Sequence, residues 1–151
     1  MEKEAAAIFS KVMQEVPFVR LERLERGKKL RPGTVFHPDF FAPLWITGRR
    51  KIIIVEVKNN GQPRFARDAA NSLYRLCQFE PGAYGIFMAP YISPVSAQIL
   101  KAQGFGYLDF SGNCFISFDG VFIKRDSVPN LFYQKRELRK LYTESAPGLC
   151  F

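Results

Sequence analysis

The sequence predicts one α/β domain in which a mixed β-sheet carries helices on both faces. Three observations predict it. Apolar residues recur at helical spacing over four stretches and follow strand-like patterns between them, giving the order α-β-β-β-α-β-α-β-β-β-α. The run Ile52-Ile53-Ile54-Val55 is continuous rather than alternating, the mark of a central strand covered on both sides. The length of 151 residues with 47% hydrophobic content suits a single domain with a real core.

Lys3 to Glu15 reads as a helix because Ala5, Ala6 and Ala7 are strong formers and Ile8, Phe9, Val12, Met13 and Val16 recur on one side. Pro17 ends it. Phe18 to Glu25 reads as one strand, imperfectly alternating, followed by a basic turn from Gly27 to Gly33. Phe36 to Ile46 is a second, aromatic-rich strand. Thr47-Gly48-Arg49-Arg50 turns the chain into a third, Lys51 to Lys58, which Asn59-Asn60-Gly61 breaks. Arg64 to Phe79 is a helix with Ala66, Ala69, Ala70, Leu73, Leu76 and Cys77 inward. Tyr84 to Met88 is a buried strand. Ser93 to Gln103 is a helix with Ser93 as cap and Pro94 in its first turn. Gly106 to Phe110 is a strand. Cys114 to Phe118 and Val121 to Lys124 form a hairpin about Asp119-Gly120. Gln134 to Tyr142 is a last, basic helix, so that residues 1–126 form the main unit and 127–151 a basic helix and tail. The apolar ending Leu149-Cys150-Phe151 suggests a further domain beyond it.

Composition narrows the function. Lys plus Arg is 22 against 14 for Asp plus Glu, a net charge of +8, which favours a polyanionic partner, nucleic acid before an acidic membrane surface. No apolar run approaches the ~18 residues of a membrane helix, and no secretory signal is visible. Cys77, Cys114 and Cys150 are too widely spaced for a zinc site or a disulfide framework. His37 is the only histidine, so histidine-dependent metal or Ser-His-Asp chemistry lacks material. A reduced, cytoplasmic setting is expected.

The chemistry-bearing feature is Pro38-Asp39 followed, 17 residues after the aspartate, by Glu56-Val57-Lys58. Glu56 and Lys58 share a side of their strand. With the hairpin centred on Gly48-Arg49, facing residues have numbers summing to 97. Asp39 then lies opposite Lys58, and Phe41 opposite Glu56. Two carboxylates and an ammonium would meet at a strand tip, where charges need partners or an ion. Acidic oxygens suit Mg²⁺, which activates water and neutralises a scissile phosphate, while a lysine orients the water or steadies the developing anion. The plainer reading is a solvated cross-strand ion pair at a sheet edge.

Pro38-Asp39 with Glu56-Val57-Lys58 resembles the PD-(D/E)xK nuclease superfamily, and the order helix, three-strand meander, helix, strand over about Lys3 to Met88 is similar to that family's common core. The resemblance implies a restriction-endonuclease-like mixed sheet flanked by helices, here with an extra C-terminal hairpin and helix. It implies Mg²⁺-dependent (or Mn²⁺-dependent) hydrolysis of phosphodiester bonds in DNA. Asp39 and Glu56 would be metal ligands and Lys58 the catalytic lysine. An upstream acid often completes such sites, and Glu4, Glu15 and Glu22 are the candidates. Gln62 and Arg64 lie near the position of a polar residue that the family often carries on the helix after the lysine strand, where they would contact substrate. The resemblance also admits a homodimer and an added target-recognition domain or subunit. Its rival is the same fold without activity, gripping nucleic acid or a protein partner. Several features have plainer readings: His37 as a partly exposed strand residue, Arg67 as solvated, and Asp109 and Asn113 as a turn instead of a cleft lining.

Overall fold

The structure, a computed structural model, describes residues 1–28 and 37–126. Most of the expected basic turn, Phe36, the helix Gln134 to Tyr142 and the whole unit 127–151 lie outside the described residues. Within them, α1 (Glu2–Gln14) buries Ala5, Phe9, Val12 and Met13, the one-sided set that its spacing requires.

The segment read as one strand is two. β1 (Val19–Leu21) pairs antiparallel with the far end of β3 (Phe40–Ile46), and β2 (Glu25–Arg26) pairs with its beginning. Three residues, Glu22 to Leu24, face only two, Ala42 and Pro43, in that ladder. Pro43 has no N–H to give, and its carbonyl accepts the Glu22 N–H at 3.0 Å, so pairing lapses there.

β4 (Arg49–Val57) follows through a tight turn at Thr47 and Gly48, both at positive φ (45° and 86°). The turn therefore centres one residue earlier than expected, because this pair takes the twist that a two-residue hairpin demands. Facing residues sum to 95, as in Phe40 opposite Val55, and not 97. A two-residue shift leaves every side chain on its expected side of the sheet; a one-residue slip would have inverted them all.

α2 (Pro63–Phe79) crosses over to β5 (Tyr84–Ala89), which is parallel to β4. α3 (Pro94–Ala102), capped by the Ser93 hydroxyl on the Ser96 N–H, crosses to β6 (Gly106–Asp109), parallel to β5. β7 (Cys114–Phe118) and β8 (Val121–Arg125) close the sheet as the expected hairpin, with Asp119 and Gly120 at positive φ. Among the described residues the sheet has eight strands, ordered β1-β3-β4-β5-β6-β7-β8 with β2 beside β3.

Helices cover both faces. α1 packs with Phe40, Ala42, Leu44, Ile53, Val55, Ile86 and Met88 on one side. On the other, α2 and α3 pack over Ile54, Phe87, Ala89 and Tyr107. Ile53, Ile54 and Val55 are all fully buried, as a strand between two helix layers must be. This is the mixed sheet flanked by helices that the sequence predicts, and its first six elements after β2 is merged with β1 follow α-β-β-β-α-β. Among the described residues no helix is long and apolar enough to cross a membrane.

Candidate active site

The strand alternation that buries Ile54 against α2 also turns Glu56 toward α2. Extending the β3–β4 register by one step sets Asp39 opposite Glu56, where 97-register pairing had set it opposite Lys58. The shared side is as expected; the partner is different, and the two carboxylates face each other directly.

Asp39 is held from two directions. Its Oδ2 accepts the Val57 N–H at 2.7 Å, and its carbonyl accepts the Gly27 N–H at 3.3 Å. Glu56 is 8% exposed, and its Oε1 accepts the Ser72 hydroxyl of α2 at 3.1 Å. Besides these donors, the two carboxyls share a hydrogen bond with each other. Burial, followed by a hydrogen bond and the charge of Asp39, pushes the Glu56 carboxyl up to about 8, while Ser72 and the Lys58 charge pull it down. A proton is thus held at the pair near neutral pH, where a cation would otherwise balance two negative charges.

Lys58 follows on the same side as Glu56 by alternation, half-buried, with its N–H on the Met88 carbonyl at 3.0 Å. It forms no ion pair with the described residues. Beyond it, Gly61 is buried against the loop after β5. A Cβ at this position would lie 1.9 Å from the Tyr91 carbonyl oxygen, so only glycine lets the two loops meet. Gln62 then caps α2 with its backbone, exposed, and its N–H goes to Asn60 Oδ1 at 2.8 Å. Arg64 is exposed on the first turn, with its guanidinium carbon 4.8 Å from the Phe65 ring centre.

The three upstream acids do not join the pair. α1 lies on the opposite face of the sheet, where Glu15 is bound to Arg125, and Glu4 is exposed on the same helix. Glu22 sits toward the hairpin end, taking Trp45 Nε1 at 3.0 Å along with Arg23 and Arg50. The expected third carboxylate is therefore a correction: sequence distance along the chain does not tell which face of the sheet an acid reaches. No group of three or more His, Cys, Asp or Glu suited to a metal occurs among the described residues. His37 is exposed ahead of β3 and not within a strand.

Asp109 resolves toward the plainer reading. It is wholly buried at the end of β6, and its carboxylate accepts the N–H groups of Ile92, Ser111 and Asn113 and the Asn113 side-chain amide, at 2.8–3.1 Å. Burial raises its pKa and these donors oppose the rise. All its capacity is spent on closing loops. The residue that sequence reasoning missed is Ser72. Its only signal was a hydroxyl on the flank of the stripe Ala66, Ala69, Ala70, Leu73 and Leu76.

The pair fits a hard divalent cation by its donor set: two carboxyls in contact on one side of the sheet, which an ion could bridge in place of their shared proton, with water completing the shell as Mg²⁺ prefers.

No protein-family model matches the chain, and no curated protein matches it in sequence. Two solved structures are similar. EndoMS in its apo form has a TM-score of 0.41 at 16% identity, covering 68% of this chain and 44% of that one. The EndoMS–dsDNA2 complex has a TM-score of 0.41 at 14% identity, covering 70% and 44%. This chain spans less than half the length of either.

Proposed function

We propose that the chain is a metal-dependent nuclease that hydrolyses phosphodiester bonds in DNA. The observation that carries this reading is the contact between the Asp39 and Glu56 carboxyls on one side of the sheet, each anchored by a donor from the fold, the Val57 N–H for Asp39 and the Ser72 hydroxyl for Glu56. Ionising both carboxyls calls for a cation between them, and building the pair into a sheet tip has no structural return that an apolar pair would not give more cheaply.

Asp39 and Glu56 would hold Mg²⁺ or Mn²⁺. The bound ion supplies charge neutralisation at the scissile phosphate and a more acidic water. The chain's own residues do the rest. Lys58, on the same side and without a carboxylate partner of its own among the described residues, orients the attacking water or steadies the charge that develops on phosphate oxygen. Gln62 and Arg64 stand at the positive end of α2, where phosphate oxygens are favoured, and bind the substrate backbone. Water adds to phosphorus and releases a proton to solvent, the P–O bond to the leaving sugar oxygen breaks, and that oxygen takes up a proton from solvent. The net charge of +8 draws a polyanion to the surface.

The test is plasmid cleavage with Mg²⁺ or Mn²⁺, beside EDTA and the variants Lys58→Ala and Asp39→Asn. Cutting that disappears in EDTA and in both variants is the expected outcome. DNA binding that persists with no cutting under any divalent ion overturns the enzyme and leaves the inactive binding module.

A further inference from the structure

Ser72 stands where the inward stripe of α2 meets the strand tip. Its neighbours on the stripe, Ala69, Ala70, Leu73 and Leu76, are buried and apolar. A helix serine can satisfy its hydroxyl on the carbonyl one turn back. This one reaches across to Glu56 Oε1 at 3.1 Å instead. Asp39 is fixed in the same manner by a different element, with Oδ2 on the Val57 N–H at 2.7 Å. Each carboxylate is thereby pinned through one oxygen by a donor from the fold, and the two carboxyls also share a hydrogen bond with each other. Without its pin, the glutamate side chain has three torsions to search and either oxygen to present.

We propose that Ser72 is a positioning residue of the metal site: its hydroxyl, donated from α2, commits Oε1 of Glu56 and so presents Oε2 to the ion beside Asp39. The inference rests on the metal-dependent reading given above. Partners of this kind orient ligands and typically change metal affinity by about 10–100-fold when removed.

The experiment titrates Mn²⁺ into the full chain and follows the electron paramagnetic resonance signal of unbound Mn²⁺. The variants are Ser72→Ala, Ser72→Thr and Ser72→Val, with Asp39→Asn as the site control. Ser72→Ala is expected to weaken Mn²⁺ binding about tenfold or more. Thr and Val have nearly the same shape and differ by the hydroxyl, so Ser72→Thr should keep most of the affinity and Ser72→Val should lose it. That comparison stands even where the alanine variant folds poorly. Should Ser72→Thr and Ser72→Val bind alike while Asp39→Asn loses the ion, the site exists and Ser72 has no part in it. Should the unmodified chain bind no Mn²⁺, or Asp39→Asn bind as well as the parent, the metal reading itself fails and takes this inference with it.

Discussion

At the scale of single residues, Glu56 is the side chain whose chemistry is most altered by the fold. Its carboxyl is pushed up to about 8, first by burial and then by Asp39. An unfolded chain releases that proton near 4.5. Between these values the native state holds a proton that the unfolded state has lost, so stability from this group declines as pH rises from about 4.5 to about 8 and is level above. Glu56→Gln removes the decline. The variant should be more stable than the parent at pH 8 without metal, by about 1–3 kcal/mol, the scale of a buried group left poorly satisfied. The gap should close toward pH 4. Urea unfolding at several pH values measures it. Saturating Mn²⁺ at pH 8 should reverse the order, because only the parent can bind the ion. Asp109 is the contrasting carboxylate. Asp109→Asn puts an amide N–H₂ against donors and should cost about 1–3 kcal/mol while leaving Mn²⁺ binding unchanged. A loss of Mn²⁺ binding in that variant would place Asp109 in the site after all.

Elements set which of these groups meet. The Thr47–Gly48 turn decides the β3–β4 register and hence that Asp39 faces Glu56 and not Lys58. α2 contributes Ser72 to one end of the pair and its own N-terminus, with Gln62 and Arg64, to the next stretch of surface. The loop between β4 and α2 keeps its path through Gly61, pressed against Tyr91 and Ile92. Gly61→Ala forces that contact apart, since the obstacle is backbone and cannot rotate away. A destabilisation of about 3 kcal/mol is expected, at the upper end for overpacking. Thermal unfolding of the variant checks this, and Mn²⁺ affinity should fall with it because Lys58 and the start of α2 shift together.

The whole molecule places the candidate site at the carboxyl ends of the parallel strands, on the side covered by α2 and α3. α1 closes the other face with Phe9, Val12 and Met13, so its acids are directed away from the pair. The net charge of +8 belongs to this scale too. DNA affinity should fall steeply with salt, with a logarithmic slope of about −0.9 for each phosphate neutralised on a duplex. Filter binding between low and physiological salt, in EDTA to prevent cutting, measures the slope. A flat response would mean that the positive charge is not the binding surface.

Much of this was legible in the chain. The helix stripes, the doubly covered run Ile53, Ile54 and Val55, the Asp119-Gly120 hairpin and the Ser93 cap all follow from local rules that need no distant partner. So does the common side of Asp39, Glu56 and Lys58, because alternation is a property of one strand and survived an error of two in the register. What only the tertiary structure decided were relations between segments far apart in sequence. Pro43 split the first strand by withholding an N–H from a neighbour some twenty residues earlier. The face covered by α1 removed Glu4 and Glu15 from the site, Trp45 and two arginines claimed Glu22, and α2 brought Ser72 to Glu56. Local propensity determines the elements; which side chains touch depends on how the sheet twists and which face each helix takes, and those are settled by packing the whole core at once.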